Sequence, residues 1–155
     1  MTYSSERSSH PALSLADSAA AGTSDVVLLI GRILLAWIFV RSGYGKIFNV
    51  EAVADSFPLR GLHPYLAYIA VPFELFGGIA LIFGLATRYV VLGFVIFMLV
   101  ATFSTHRYWE FTDLAARRNQ DSAFYKNTAM LGGICFLFVV GSGRLSLDHW
   151  LRKRG

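Results

Sequence analysis

A glutamate inside an apolar run is the first residue that demands chemistry. Glu74 lies well within the stretch from Tyr65 to Ala86, and an ionised carboxylate at such a depth in lipid costs about 3 kcal/mol unless it is paired. It needs a partner or a proton. Arg32 and Arg41, in the preceding apolar run, are the obvious partners. Counting about 1.5 Å of rise per residue from a shared membrane face puts Arg41 roughly 9 Å deep, Glu74 about 14 Å and Arg32 about 22 Å. A guanidinium reaches Glu74 from either position. Rotation separates them, because Arg32, Ala36, Phe39, Gly43 and Lys46 fall on one stripe whereas Arg41 points about 180° away. The expected pair is therefore Arg32 with Glu74, with Arg41 snorkelling to the boundary or meeting another subunit. Pro72 adds a polar feature one turn from the acid, since its missing N–H frees the carbonyl of Tyr68 and kinks the helix. Such a site reads either as a proton path or ligand pocket, or as a structural ion pair that fixes helix register.

A second constellation follows from helix parity alone. The end of the first helix, the start of the second, the end of the third and the start of the fourth share one membrane face. That face gathers Lys46, His63, Thr102, His106, Arg107, Trp109, Lys126 and Asn127. Within it, Lys46, His63, His106, Lys126 and Asn127 offer groups for a quinone headgroup or a small anion, with Trp109 and Tyr44 as flat apolar walls. Boundary anchoring by Lys, His and Trp produces the same composition. Haem is not expected: only His63 and His106 could meet at one depth, and His63 precedes a helix-starting proline that keeps it from projecting inward. No metal site and no covalently bound cofactor are expected. Cys135, the single cysteine, reads as a small apolar filler.

The elements that must position these residues follow from composition. The chain has 155 residues, 55% of them hydrophobic and only 15% charged, with mean hydropathy +0.52. A bilayer-spanning helix needs about 20 residues, so four spans fill most of this length and leave no room for a water-soluble catalytic domain. The apolar runs give spans at about 26–48, 65–86, 89–106 and 127–143 within a membrane domain over 25–150. The expected fold is all-α, a polytopic membrane protein built as an up-down bundle of four transmembrane helices. Residues 1–24 are Ser- and Ala-rich and read as a disordered tail without a signal-peptide core. The connection 107–125 reads as a segment at the membrane surface, and 151–155 is a basic end. The pI of about 9.5 does not point to nucleic acid, because the basic residues flank apolar runs as anchors. Lys and Arg counts tie between the two sides, and the dense Arg152-Lys153-Arg154 end favours both termini in the cytoplasm. Gly77-Gly78-Ile79 is echoed by Gly132-Gly133-Ile134, which reads either as a duplicated helix pair or as glycines spaced for close helix contact.

Gly31-Arg32-Ile-Leu-Leu-Ala36, Ser42-Gly43-Tyr-Gly-Lys46, Glu74-Leu-Phe-Gly77-Gly78, Thr102 through His106-Arg107-Tyr-Trp109, Phe124-Tyr-Lys126-Asn127 and Gly141-Ser-Gly143-Arg144-Leu-Ser-Leu-Asp148 occur in order. Together they resemble the DoxX family of small four-helix membrane proteins over about residues 28–150. Two positions depart from the pattern, Ser42 standing where many members carry histidine and Ser142 where proline is frequent. The resemblance implies a prokaryotic inner-membrane protein that serves as a subunit of, or anchor for, an oxidoreductase system, at most a quinone-linked membrane subunit. It also implies a redox protein partner or a homo-oligomer. The alternatives are a small transporter or proton-conducting bundle using Glu74, and a structural assembly factor without ligand.

Overall fold

The computed structural model describes residues 11–154, with side chains from Ser14 onward. Six helices carry the chain: α1 (Pro11–Ile47), α2 (Val50–Ser56), α3 (Tyr65–Phe83), α4 (Thr87–Thr105), α5 (Leu114–Val140) and α6 (Leu147–Arg152). No strand occurs among the described residues. α1, α3, α4 and α5 are each long and apolar enough to cross a bilayer. They form an up-down ring in which α1 packs on α3, α3 on α4, α4 on α5, and α5 back on α1. The outer faces expose large apolar residues such as Leu34, Trp37, Ile69, Ile96 and Phe136, as expected where lipid takes the place of a protein partner.

α1 begins much earlier than its apolar run. Ser18 and Thr23 return hydrogen bonds to the carbonyls of Ser14 and Ala19, both at 2.7 Å, and the alanines between them have high helix propensity. The part of the Ser/Ala-rich tail from residue 11 on is therefore helical rather than disordered; the tail before it lies outside the described residues. The connection expected at the membrane surface is likewise half helix. Asp113 caps α5 by accepting from the Ala116 N–H at 2.8 Å, and Leu114 through Tyr125 continue into the apolar run without a break.

Apolar burial does not drive helices together in lipid, so close approach depends on small residues. A Cβ on Gly43 would lie 2.6 Å from the Leu75 nitrogen, and one on Gly78 would lie 3.1 Å from the Val40 nitrogen. These two contacts set an antiparallel register that places Tyr44 opposite Glu74, and Arg32 opposite Ala86. Gly93 makes room for the Phe73 ring, which a Cβ would meet at 2.5 Å. Gly132, by contrast, has open space before it, so the glycine echo is not matched by equivalent packing. Gly84 is not a mid-helix contact residue but the left-handed terminator of α3, with φ 66°.

At the core, Ala36, Phe39, Leu81, Val91, Phe94, Met98 and Ile134 pack into one cluster. Phe39 and Phe94 stack at 4.1 Å between ring centroids and Phe73 meets Phe94 at 4.8 Å. This layer lies about midway along the stripe from Arg32 to Lys46, which spans about 21 Å. Two polar sites are therefore kept apart, one at each end of the bundle.

Candidate functional site

Where the four helix ends expected to share a face come together, α1 stops short of the start of α3. α2 folds across the gap, packing Ala54 and Phe57 on Ala67. Beneath it lies a cavity of about 760 Å³ reached by side chains of all four spans. Its walls are mainly apolar, with Phe73, Phe97, Met98 and Ile69 among them, and its charged or titratable groups are Lys46, Arg60, Glu74 and His106, with uncharged polar groups such as Ser42, Ser104 and Asn127 beside them.

Glu74 enters this cavity from an irregular turn. Residues Phe73–Gly77 form a π-helical turn directly after Pro72. Proline removes the N–H that Tyr68 would have received, and a widened turn of this kind recurs at functional sites. The carboxylate is paired with Lys46, Nζ to Oε2 at 2.8 Å. The pair is lopsided: the lysine side chain is 40% exposed and the glutamate 7%. His106 shares a 2.8 Å contact between its Nδ1 and Gln120 Oε1, Arg60 donates a long 3.4 Å bond to Thr105 Oγ1, and the buried Ser104 hydroxyl beside the cavity has no partner among the described residues.

The expected Arg32–Glu74 pair is not formed. Arg32 is buried at the opposite end of the bundle, where its guanidinium donates to the carbonyl oxygens of Ser142 and, at 2.8 Å, Leu145. It lies against Gly84, where a Cβ would come within 2.8 Å of Nη1. Arg41 is exposed and makes no hydrogen bond or ion pair among the described residues. The stripe Arg32, Ala36, Phe39, Gly43 does face inward, so rotation is as read and depth is not. Of the six residues assigned to a quinone or anion site, Lys46, His106 and Asn127 line the cavity. His63, Trp109 and Lys126 are exposed outside it. His63 stacks on Tyr65 at 5.2 Å, while Trp109 packs edge-on against Tyr108 and Phe124. Tyr44 turns to Phe48 instead of forming a wall. Sequence reasoning missed that Glu74 belongs with Lys46, and that Ser42, Arg60 and Ser104 join them. The shared stripe of Gly43 and Lys46 was the available signal, since a glycine that lets two backbones touch also fixes the level of the lysine one turn on.

The end holding Arg32 is a staple. Asp148, in the first turn of α6, accepts from the N–H groups of Ala86 and Thr87 at 2.7 and 2.9 Å, capping α4 from the far end of the chain. Its own N–H donates to the Gly84 carbonyl at 2.9 Å. Burial pushes the Asp148 carboxyl up, but hydrogen bonds from Thr87 and Ala86 together with nearby Arg152 outweigh it and hold the group below its usual range. A depressed folded-state pKa gives stability that is present above the unfolded value, near 3.8, and lost as pH falls through the folded one. Asp148→Asn is expected to lower thermal stability in detergent at neutral pH by about 1 kcal/mol, the usual cost of a lost cap, and to flatten the stability profile below pH ~4. Melting curves from pH 3 to pH 7 test this; parallel acid limbs in the two proteins would reject it.

The DoxX family model matches residues 27–107, the stretch that holds Arg32, Gly43, Lys46, Glu74 and His106. The chain belongs to the DoxX family. It is 29% identical over 130 residues to Inner membrane protein YqjF of Escherichia coli (strain K12), covering 84% of this chain and 95% of that protein. It is 32% identical over 126 residues to Inner membrane protein YphA of the same organism, covering 80% and 89%. A shorter likeness, 35% over 66 residues, joins it to the protein named "Putative oxidoreductase CatD" of Bacillus subtilis (strain 168), covering 43% of this chain and 49% of that one. No solved structure matches the chain.

Proposed function

We propose that this DoxX protein is a cytoplasmic-membrane subunit or anchor of an oxidoreductase system and holds a quinone headgroup in the cavity beside Lys46 and Glu74. The observation that carries this reading is the lopsided ion pair: a lysine open to a mainly apolar cavity of about 760 Å³, backed by a buried carboxylate. A flat ring needs such apolar walls with few oriented donors. Lys46 and Asn127 are placed to donate to a carbonyl oxygen. Glu74 and His106 set a carboxylate and an imidazole beside them. A bound quinone would supply a two-electron, two-proton carrier, its electrons coming from a redox protein partner. The likeness to the protein named "Putative oxidoreductase CatD" lends support. A conducting path through Glu74 has less: the fully buried Phe94, Leu81, Val91 and Ala36 close the way towards Arg32.

The test is titration of a short-chain quinone into the purified protein, read by isothermal calorimetry against a protein-free detergent control. Ala101 lines the cavity and takes no part in the ion pair. Ala101→Phe should fill it and weaken quinone binding at least tenfold while the melting temperature stays within a few degrees. No binding, or equal binding by wild type and variant, would defeat the quinone reading and leave an assembly role without ligand.

A further inference from the structure

A further concavity, of about 710 Å³, lies at the opposite end of the bundle, between the start of α4, the end of α5 and the C-terminal segment. Its lining includes Arg88, Arg144, Arg152 and Lys153. The carboxylate among them, Asp148, has both oxygens engaged by backbone N–H groups and lies near Arg152, so one negative charge faces four cations and a positive excess remains. Their own ties are slight. Arg88 makes a 3.5 Å contact with the Val139 carbonyl, and Arg144 approaches Asp25 at 3.8 Å with its side chain 76% exposed. Arg152 uses Nε alone, on the Asp148 carbonyl at 3.1 Å. The Lys153 ammonium has no partner among the described residues. Around this concavity Tyr89, Trp150 and Leu151 are exposed, and Arg154 stacks over the Trp150 ring at 3.7 Å.

Independent boundary anchors would point their charges outward one by one. Here four cations from three parts of the chain converge on one hollow at the level of the helix ends, beside apolar and aromatic side chains suited to the upper part of an acyl layer. Arginine forks match phosphate oxygens in pairs. We propose that this hollow binds the phosphodiester of an anionic phospholipid headgroup, phosphatidylglycerol or cardiolipin, and so ties the C-terminal segment to the membrane surface. The site is separate from the cavity at Lys46 and does not depend on the quinone reading.

The full-length protein, purified and delipidated in detergent, is titrated in separate arms with phosphatidylglycerol, phosphatidylcholine and inorganic phosphate, with thermal shift and native mass spectrometry as readouts. Phosphatidylglycerol should raise the melting temperature by several degrees and remain bound in the mass spectrum. The other two should do neither. Arg88→Gln/Lys153→Gln should raise the half-saturating lipid concentration about tenfold or more. Arg41→Gln, which removes an exposed cation from another part of the bundle, should not. If the double variant folds poorly, Lys153→Gln alone provides the same comparison at a smaller, severalfold effect. Equal shifts with phosphatidylcholine, equal loss in Arg41→Gln or unchanged binding by the variants would overturn the site. A shift reproduced by inorganic phosphate alone would overturn the lipid as its ligand.

Discussion

Arg32→Met is expected to cost about 3–5 kcal/mol and to leave little folded protein in detergent. The guanidinium is 2% exposed and holds two backbone carbonyls, Ser142 and Leu145, which follow the end of α5 and have no intrahelical use. Ser142 is buried and its carbonyl left unsatisfied costs about 1–3 kcal/mol, whereas Leu145 is exposed and loses less. The guanidinium also fills the space before Gly84, and methionine, which ends near the level of the arginine Nε, empties that space as well as losing every donor. The loss therefore sums hydrogen bonding, charge and packing. Arg32→Lys separates the terms further: charge is kept, but a lone ammonium on a shorter stem does not reproduce the planar fork, and roughly half the loss should remain. Thermal unfolding and the yield of monodisperse protein read both variants. An Arg32→Met protein as stable as wild type would show that the staple does not hold the end of the bundle.

The same arginine shows where sequence reading stops. Its inward direction was legible because a straight helix turns about 100° per residue and errors in helix ends do not alter the stripe. Its partner was not, since partner choice depends on how far two helices slide past one another. The depth estimate started α1 and α3 from a common plane. The contacts at Gly43 and Gly78 move them about six residues, roughly 9 Å, which carries Glu74 away from Arg32 and up to Lys46. Nothing in the apolar pattern of either helix encodes that slide; it is fixed where two backbones touch, and by α2 filling the space that α1 leaves. The number and order of spans were legible for the opposite reason, since each depends only on a local run of apolar residues. The cavity itself was half legible: parity brought Lys46, His106 and Asn127 to one face, but whether a boundary residue points inward or outward separates them from His63, Trp109 and Lys126, and parity carries no such information.

The slide makes the Lys46–Glu74 pair the decisive measurement, and its two single variants should be unequal. Lys46→Met leaves a carboxylate whose side chain is only 7% exposed, with no other cation bonded to it, and should cost about 3 kcal/mol or more. Glu74→Gln leaves a lysine whose side chain is 40% exposed towards the cavity; the ammonium can turn to water at the mouth, and the cost should stay near 1 kcal/mol. In Lys46→Met/Glu74→Gln no stranded charge remains, so the double variant should recover most of what Lys46→Met loses, with a coupling of about 1–3 kcal/mol. Melting temperatures in one detergent at one pH provide the whole cycle. Additive losses, or equal costs for the two single changes, would show that the pair is not closed on one side and open on the other. That asymmetry matters for the proposed chemistry: a ligand in the cavity can take over the outward side of the lysine only if Lys46 stays accessible while Glu74 is held.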